Sequence, residues 1–471
     1  MTAITRWLGM ILVGLVATAA AAQEAQLEQE AVPFHRMAFE ILRDTIPMRT
    51  VAGAGEVPRF ASFLEQRLLD GGFAREDVMV IPHADTAALV VRYRGDQRSG
   101  KKPILLSAHL DVVDAYPEDW ERDPFTLIEE NGFYFGRGVA DNKFDVAVLT
   151  ATFLRLKSEG FVPSRDLLIA FTGDEETEMA TAQLLTGQYR ELIDAEFAFV
   201  VDGGGGQLDE NGNPFSFVVT TAEKTYATFT VTARNPGGHS SLPRRDNAIY
   251  DLAHALRKLQ SHEFPVRATE LTRSFFTRSA PLVGGELGAA MRAFADDPDD
   301  PAAVALLRDH PEYAGTTGTT CVATMLSAGH AENALPQSAT ATINCRIFPG
   351  IGIEETLEEL KAVVADDGLS WSILDNPIAS DPSPLREDLF AAIERAVHID
   401  YPGVPIVPTM ASGASDALHF RAAGIPSYTF TGIFLKPEDE FAHGLNERVT
   451  VFSLPNSLTL WHALLTDLAG D

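Results

Sequence analysis

The sequence predicts an α/β protein with a mixed, largely parallel sheet flanked by helices, and a second α+β domain inserted into the first. Short apolar runs alternate with helical patterns over about the first 200 residues and again near the end of the chain, which is typical of a parallel sheet. Between these parts, one strand alternates strictly between polar and apolar residues, as in a sheet with one face in solvent. The length of 471 residues also favours two domains over one.

Five strands and two helices are predicted in the first part of the chain. The helices, at 59–70 and 143–158, repeat apolar residues at helical spacing, and Gly160 follows the second. The strands are the apolar runs at 78–81, 88–93, 103–107, 166–172 and 197–201. Because the long helix separates two of these strands, we expect those two to pair in parallel.

A different sheet is predicted after residue 223. The run TFTVTA at 228–233 alternates polar and apolar residues. It is followed by a helix, two strands, a helix and a strand at 247–260, 319–326, 339–348, 354–364 and 369–374. This order predicts four strands with two helices on one face, a ferredoxin-like arrangement. The first pattern then resumes with a helix and two strands at 385–398, 404–407 and 427–431.

The smaller domain therefore interrupts the larger one, and it contains an insertion of its own with short helices. The predicted bounds are 23–221 and 377–471 for the larger domain, 222–376 for the smaller domain and 265–317 for the insertion. Residues 1–22 predict a secretory signal, because Arg6 precedes an apolar stretch and three alanines precede Gln23. We therefore expect a periplasmic or secreted protein without stable membrane insertion once the signal is cleaved.

The composition is strongly acidic, with 66 Asp and Glu against 37 Lys and Arg and a formal net charge of -29. This charge argues against nucleic acid as a partner and favours metal cations in any cleft where acids converge. The two cysteines, Cys321 and Cys345, are too few for a disulfide scaffold. They lie on two predicted strands around a turn, and a disulfide and two free thiols both stay open because the register is unknown.

Potential metal ligands follow the predicted strands of the larger domain, precede its long helix or lie near the end of the chain. They are, in chain order, His109, Asp111, Asp141, Glu175, Glu176, Asp202 and His443. The carboxyl ends of parallel strands meet at one edge of a sheet, where open α/β sheets bind ligands. The sequence therefore predicts that these side chains gather at one rim.

A ligand set rich in carboxylates suits two divalent cations bridged by one carboxylate and one water, with zinc favoured and cobalt or manganese also suitable. Zinc lowers the pKa of such a water to roughly 7. Neighbours on an extended segment point to opposite sides, so we expect one of Glu175 and Glu176 to bind metal and the other to act as general base. We expect Asp111 to hold the second nitrogen of the His109 imidazole.

The motifs at these positions resemble those of a metallopeptidase family. They are SAHLDVV, WERDPF, GRGVADNK, TGDEE, VVDGGG, NPGGHSSLP, NALPQSATATINCRIFPG and HGLNERV. The family includes glutamate carboxypeptidase, aminoacylase, succinyl-diaminopimelate desuccinylase and yeast carboxypeptidase S. The segments AEKTYATF and HGLNERV are most similar to the carboxypeptidase S branch. The resemblance extends over essentially the whole chain after residue 22.

For the fold, the resemblance implies a phosphorylase/hydrolase-like zinc exopeptidase domain, with the smaller domain as a lid that often forms a homodimer. For the metals, it implies that His109 and Asp202 bind one ion and that Asp141 bridges it to the other. Glu176 and His443 would then bind the second ion. A cis peptide bond after Asp141 is implied as well.

The resemblance also implies roles in catalysis and substrate binding. Glu175 would be the general base, and His239 in GGHSS would stabilise the developing oxyanion, in some relatives across a dimer. Asn333 and Arg346 match positions that hold the carbonyl or free carboxylate of the substrate, and Gly413 lies in a loop similar to a carboxylate-binding loop. The implied reaction is hydrolysis of an amide or peptide bond next to a free C-terminal carboxylate, in a short peptide or an N-acyl amino acid.

Two departures from the family pattern border the predicted cleft. The family usually continues the bridging-Asp motif with Lys-Gly, whereas Phe144 and Asp145 follow Lys143 here, and Thr177 replaces a common Gly after the glutamates. Two other functions stay open. One is a co-catalytic zinc aminopeptidase, which uses a similar ligand order without the lid. The other is a secreted binding protein that keeps the fold without turnover.

Overall fold

The computed structural model of the chain describes residues 33–470, so the predicted signal at 1–22 lies outside the described residues. The strands are β1 (Val78–His83), β2 (Thr86–Tyr93), β3 (Ile104–His109), β4 (Ile128–Glu130), β5 (Phe133–Phe135), β6 (Leu167–Thr172), β7 (Phe197–Val200), β8 (Gly205–Leu208), β9 (Pro214–Glu223), β10 (Thr225–Arg234), β11 (Gly238–His239), β12 (Thr320–Ala328), β13 (Ala334–Leu335), β14 (Ser338–Ile347), β15 (Ser370–Leu374), β16 (Ile406–Ala411), β17 (Ser427–Thr429), β18 (Phe434–Leu435) and β19 (Arg448–Thr450).

The helices surround these strands. They are α1 (33–45), α2 (Val57–Asp70), α3 (Lys143–Ser158), α4 (Ala180–Thr186), α5 (Ala248–Gln260), α6 (Glu270–Val283), α7 (Gly285–Asp296), α8 (Pro301–Asp309), α9 (Pro311–Ala314), α10 (Ile353–Val364), α11 (Glu387–Asp400), α12 (Ala417–Ala422) and α13 (Ser453–Ala469). Within residues 33–470, no helix is both long and apolar enough to cross a membrane.

Ten strands form the large sheet, in the order β1-β2-β6-β3-β7-β17-β9-β8-β18, with β16 also paired to β9. The central strands β6, β3, β7 and β17 pair in parallel, as the sequence predicts. Antiparallel pairs join β1 to β2, β2 to β6 and β8 to β9. Strands β3, β6 and β7 are buried along their whole length, which explains their uninterrupted apolar sequences.

Helices cover both faces of the large sheet. One face packs against α2, α3, α11 and α13, and the other packs against α4 and α12. Helix α3 is buried from Lys143 to Leu156, which places its first turn, directly after Asp141, in the interior. In α13, the indole of Trp461 stacks on Phe430 at 5.1 Å between ring centroids. These contacts give the carboxyl rim of the sheet a firmly packed base.

The small sheet has four antiparallel strands in the order β12-β14-β10-β15, and α5 and α10 pack on one face of it. Its strands lie between Thr225 and Leu374, while the domain bounds at 222 and 376 stay a prediction. The register places Cys321 opposite Cys345 on β12 and β14, and the two form a disulfide. Of the two alternatives that the sequence leaves open, the structure therefore shows the paired one.

The insertion at 265–317 folds into helices α6 to α9, which we call the helical insertion. It has a core of its own that includes Phe276, Met291, Phe294 and Leu307. Helix α6 also packs on β16 of the large sheet, where Arg278 Nη1 donates to the carbonyl of Ile406 at 2.8 Å. The helical insertion, which begins and ends in the small-sheet part of the chain, is therefore also attached to the large sheet.

Several short strands are absent from the sequence prediction. Strands β4, β5 and β19 form a separate three-stranded sheet, and β11 and β13, which are far apart in the chain, form a two-stranded sheet. The strand predicted at 404–407 instead runs from Ile406 to Ala411, so its carboxyl end leads directly into the loop that contains Gly413. Asp416, three residues after Gly413, accepts a hydrogen bond from the hydroxyl of Thr172 at the carboxyl end of β6, which brings that loop to the same rim as the predicted metal ligands.

Candidate metal centre

The predicted ligands meet at the carboxyl rim of the large sheet. His109 is the last residue of β3, and Asp202 follows β7 by two residues. Asp141 directly precedes α3 through a cis peptide bond to Asn142, as the resemblance implies, and the Asn142 amide donates to the carbonyl of Val201 at 2.6 Å. The loop after β6 supplies the two glutamates.

Asp141 lies between the two histidines. Its Oδ1 is 2.7 Å from His109 Nε2, and its Oδ2 is 3.1 Å from His443 Nε2. The same His443 nitrogen is 2.9 Å from Glu176 Oε1. Because each oxygen of Asp141 faces a different imidazole, this carboxylate occupies the position that a bridging ligand requires.

Two groups of ligand atoms overlap at His109. One ligand atom each from His109, Asp141 and Glu176 lies within 4.8 Å of the others, and the same holds for His109, Glu175 and Asp202. Side chains that are far apart in the sequence thus form one compact cluster. We call the six side chains of His109, Asp141, Glu175, Glu176, Asp202 and His443 the ligand cluster.

Asp111 supports this cluster in two ways. His109 Nδ1 is 3.0 Å from the backbone carbonyl of Asp111 and 3.3 Å from its carboxylate, so Nδ1 donates on this side and Nε2, which faces Asp141, is the nitrogen directed at the cluster. The Asp111 carboxylate also accepts hydrogen bonds from the backbone amides of Glu175 and Glu176, at 3.1 and 3.0 Å. Asp111 therefore orients both glutamates as well as the imidazole.

Asp174, the third acid of the loop, has a structural role. Its carboxylate accepts from the backbone amides of Ala180 and Thr181, at 2.7 and 2.9 Å, in the first turn of α4. This arrangement stabilises a helix terminus in the manner of an N-cap. The two glutamates are therefore the acids of this loop that face the cluster.

Charge in the ligand cluster is strongly unbalanced. Burial and the charge of Asp202 raise the pKa of Glu175 to about 10. Burial and the charge of Asp141 raise the pKa of Asp202 well above its ordinary value. Hydrogen bonds that His443 donates to the carboxylates of Asp141 and Glu176 raise the pKa of His443 to about 10. So many carboxylates at such short distances require compensating positive charge, as protons or as metal ions.

The donor set fits divalent cations. It offers four carboxylates and two imidazoles and no thiolate. Oxygen and nitrogen donors of this kind bind zinc, manganese and cobalt. His109 also turns Nδ1 toward Asp111 and Nε2 toward Asp141, the orientation in which a metal-binding imidazole is held by its other nitrogen.

Glu447 supports the cluster from below and was not found by sequence reasoning. It is fully buried, pairs with Arg137 at 2.5 Å and accepts from the amides of Gly138, Ala140 and Asp141 at 3.1, 2.7 and 3.1 Å. This carboxylate therefore fixes the backbone that carries Asp141. Its signal in the sequence is the Asn-Glu-Arg of HGLNERV, but its partner Arg137 lies 310 residues away.

The candidate substrate residues form two pairs. His239 is exposed on β11, and the neighbouring Ser240 amide donates to the carbonyl of Asn333 at 3.0 Å. Arg346 Nη1 donates to the carbonyl of Ser412 at 2.5 Å, next to Gly413. The structure thus brings His239 near Asn333 and Arg346 near Gly413.

The His239 ring has a defined tautomer. The backbone amide of Ser241 donates to His239 Nδ1 at 3.1 Å, and the Ser241 hydroxyl lies 2.7 Å from the same atom. Because Nδ1 accepts a hydrogen bond, the proton of the neutral ring is on Nε2. That nitrogen is the one able to donate to an oxyanion.

A cavity of about 390 Å³ opens beside the cluster. Asp141 and Asp202 line it at the cluster, and the run from Gly203 to Gly206 forms part of its wall. Apolar side chains cover much of the remainder: Val218, Met410, Ile433, Leu435 and Phe441. A pocket of this kind suits an apolar group attached to the reacting carbonyl.

Comparison with known proteins gives consistent results. A family model described as Peptidase family M20/M25/M40 matches residues 105–467. The human N-fatty-acyl-amino acid synthase/hydrolase PM20D1 is 29% identical over 359 residues, which cover 74% of this chain and 71% of that protein. A probable carboxypeptidase S-like 2 from Dictyostelium discoideum is 28% identical over 389 residues, covering 80% and 74%.

A solved structure supports the same fold. The M20 family metallo-carboxypeptidase Sso-CP2 from Sulfolobus solfataricus superposes with a TM-score of 0.66 at 18% sequence identity. The superposition covers 91% of this chain and 98% of that one. The mixed sheet flanked by helices is therefore shared.

Proposed function

Because the chain belongs to peptidase family M20/M25/M40 and is a metal-dependent peptidase or amidohydrolase, we propose that it cleaves an amide bond next to a free carboxylate. The substrate would be a short peptide or an N-acyl amino acid. The observation that carries this proposal is the ligand cluster itself, in which Asp141 faces both His109 and His443. The pairing of Arg346 with the Gly413 loop supports the carboxylate requirement.

Two divalent cations, with zinc preferred and cobalt or manganese as alternatives, would be held by the ligand cluster. His109 and Asp202 would bind one cation, Glu176 and His443 would bind the other, and Asp141 would bind both. When bound, such cations supply Lewis acidity that polarises the substrate carbonyl and acidifies water.

Glu175 would carry the proton. Its amide is fixed by Asp111 and its carboxylate is buried to 9% exposure beside Asp202, so it is oriented toward the cluster without a strong competing partner. In the ionised form that bound cations would favour, a Glu175 oxygen would take a proton from the attacking water and then give it to the leaving nitrogen. Glu175 and Glu176 lie in a turn rather than on the extended segment that the sequence suggests. Their division of work is supported instead by their neighbours, because Glu175 groups with Asp202 and Glu176 groups with Asp141.

His239 and Asn333 would act on the substrate carbonyl. The His239 Nε2–H is free to donate to the oxyanion that develops as water adds. Asn333 lies beside the two-stranded sheet that carries His239 and would contact the same group. Both residues are exposed, so they reach the substrate only when this two-stranded sheet faces the rim of the large sheet.

Arg346 and Gly413 would bind the free carboxylate. The guanidinium of Arg346 already donates one hydrogen bond to the loop, at Ser412, and keeps further N–H groups for a ligand. A planar guanidinium suits a carboxylate, which it binds through two parallel hydrogen bonds. This contact would place the scissile amide relative to the cluster.

The cavity beside the ligand cluster favours an N-acyl amino acid with an apolar acyl group. Its volume of about 390 Å³ and the apolar part of its wall suit a hydrocarbon chain, while Gln207, Lys436 and Glu440 also line it. A relative named as an N-fatty-acyl-amino acid synthase/hydrolase is consistent with that choice. The synthetic direction named for that relative is not part of the proposal.

The test is a substrate library with matched blocking groups. Zinc-loaded protein would be incubated with dipeptides and N-acyl amino acids, each with a free or an amidated carboxylate. Hydrolysis that requires the free carboxylate supports the proposal. Hydrolysis that instead requires a free amino group would favour the aminopeptidase, and no metal-dependent hydrolysis would favour the binding protein.

Export and dimer formation belong to the same proposal. The Cys321–Cys345 disulfide suits an oxidising compartment such as the periplasm. Strand β12 lies at the edge of the small sheet, where Val322, Met325 and Leu326 are 59%, 69% and 66% exposed. An exposed apolar edge of this kind is a site for pairing with a second copy, which light scattering after size-exclusion chromatography would detect.

A further inference from the structure

Two cationic side chains meet at the carboxyl end of β16. Arg346 on β14 donates to the Ser412 carbonyl, and its guanidinium carbon lies 4.6 Å from the ring centroid of Tyr226. Lys224, between β9 and β10, donates from its backbone amide to the carbonyl of Ala411 at 2.9 Å. The Lys224 backbone and the Arg346 side chain therefore contact consecutive residues, Ala411 and Ser412, at the end of β16.

Neither cation has an acidic partner among residues 33–470. No carboxylate oxygen there lies within 4.0 Å of the Lys224 or Arg346 nitrogens, although the chain has 66 acidic residues. Lys224 Nζ has one hydrogen bond, to the carbonyl of Gly318 at 2.8 Å. Two neighbouring cations without carboxylates are not a structural ion pair, and their positive charge is available to an anion.

Burial makes the charge of Lys224, which has no carboxylate partner within the described part of the chain, unfavourable in free energy. The residue is 2% exposed, and burial together with the charge of Arg346 lowers the pKa of Lys224 to about 8. Its ammonium therefore remains mostly charged at neutral pH. A buried charge without a counter-ion destabilises a folded protein, so an anion that reached this site would be stabilised by both cations.

The helical insertion fixes the Lys224 side chain in this position. A Cβ added at Gly315 would lie 3.0 Å from Lys224 Nζ and 3.8 Å from Ser412 Oγ. Gly315 has φ -66°, which any residue can adopt, so the backbone does not require glycine there. The ammonium instead approaches so closely that a side chain at this position would displace it by a few tenths of an ångström, toward a different place beside Ser412.

We propose that Lys224 and Arg346 together bind the two carboxylates of an acidic C-terminal residue, so that amides of glutamate or aspartate are the preferred substrates. The inference rests on the proposed function, in which Arg346 binds the free carboxylate. Two positive charges match a residue with two carboxylates, whereas a neutral residue leaves Lys224 without a counter-ion. Arg346 offers the planar, two-point contact and Lys224 offers a point charge.

The test compares substrates that differ only in the charge of the amino acid side chain. Zinc-loaded protein would be assayed with N-acyl-glutamate, N-acyl-glutamine and N-acyl-leucine carrying one acyl group. We expect kcat/KM for the glutamate compound to exceed that for the glutamine compound by about 10- to 100-fold, the effect of one hydrogen bond between charged groups. Lys224→Met should remove this preference through KM, and Lys224→Arg should restore part of it.

Two further variants separate a substrate contact from a structural one. Lys258→Met is a matched control, since Lys258 on α5 also donates to one backbone carbonyl, that of Val364, and should leave all three substrates unchanged. Gly315→Ala keeps the charge but displaces the ammonium, and should raise KM for the glutamate compound alone. It also serves as the second test if Lys224→Met does not fold.

The outcomes distinguish this inference from the function on which it rests. If no N-acyl amino acid is hydrolysed by the wild-type protein, the proposed function fails. If the leucine or glutamine compound is preferred, or if Lys224→Met and Gly315→Ala each affect all three substrates equally, only the two-carboxylate inference fails.

Discussion

The ligand cluster and the two-stranded sheet of β11 and β13 would both act on the reacting amide, yet they differ in burial and in the contacts that position them. In the cluster, His109 is 1% exposed, and the amides of Glu175 and Glu176 both donate to Asp111. In the two-stranded sheet, each strand has two residues, and His239 is exposed. One region is fixed by the packed sheet, and the other is presented from its surface.

The difference indicates where geometry is decided before a substrate arrives. Side chains at the ends of buried strands keep their positions without a ligand, because the strands beneath them cannot move independently. A short exposed pair of strands takes its final position from what it contacts. Substitutions in the cluster should therefore change metal binding, whereas substitutions in the two-stranded sheet should change turnover alone.

Glu175→Gln should give the largest effect and is the exception within the cluster. We expect kcat to fall by about 10²- to 10⁴-fold, because the amide cannot accept the proton of the attacking water. Metal content measured by mass spectrometry should stay at the wild-type value, since Glu175 is not proposed as a ligand. Glu178→Gln, an exposed neighbour, is the control. Wild-type turnover in Glu175→Gln would remove this residue as the proton carrier.

His239→Ala tests the exposed half. We expect kcat to fall by about 10²- to 10³-fold, the usual effect of deleting an oxyanion donor, with zinc affinity and melting temperature unchanged. His254→Ala on α5, another exposed histidine in the small-sheet part of the chain, should have no effect. Loss of zinc from His239→Ala would contradict the separation of the two regions.

Asp111→Asn tests how far the cluster depends on residues that do not bind metal. An amide in place of this carboxylate cannot accept from both glutamate N–H groups without presenting its own N–H to one of them. We expect zinc affinity, measured by competition with a chelator, to fall by about 10- to 100-fold. The matched control is Asp114→Asn, which alters a partly exposed ion pair with Arg49. Equal effects in the two variants would remove Asp111 as an orienting residue.

Much of the cluster was predictable because its signals are local. An uninterrupted apolar run predicts a buried parallel strand, and the acids that follow β6 and β7 must then lie at the same rim. The alternation at 228–233 predicts one solvent-facing strand for the same reason. The structure reproduces these strands because burial on both faces gives a continuous apolar run, and burial on one face gives alternating polar and apolar residues.

The remainder depends on pairings that neighbouring residues do not encode. Glu447 supports Asp141 across about 300 residues through β19, a three-residue strand without a pattern of its own. Lys224 gains its position from the helical insertion, and the disulfide depends on the register of β12 and β14. Contacts of this kind appear only when distant segments are placed together.

The pH dependence of zinc binding distinguishes the two regions by the protons that each releases. Hydrogen bonds that His443 donates to the carboxylates of Asp141 and Glu176 raise the pKa of His443 to about 10, so its imidazole is protonated at pH 7 to 8 in the metal-free protein. A metal ligand must be neutral imidazole, so zinc must displace that proton. Affinity should therefore rise with pH, by about tenfold per unit for each proton released, and level off near pH 10.

Calorimetry in buffers with different ionisation enthalpies counts these protons. Wild-type protein should release at least one proton for the zinc ion bound by His443, and His443→Gln should release one fewer. His239→Ala should release the wild-type number, because that ring contacts Ser241 rather than the cluster. A proton count that falls in His239→Ala would show that proton release by the cluster depends on the two-stranded sheet. The fixed and the exposed regions would then be a single titrating unit.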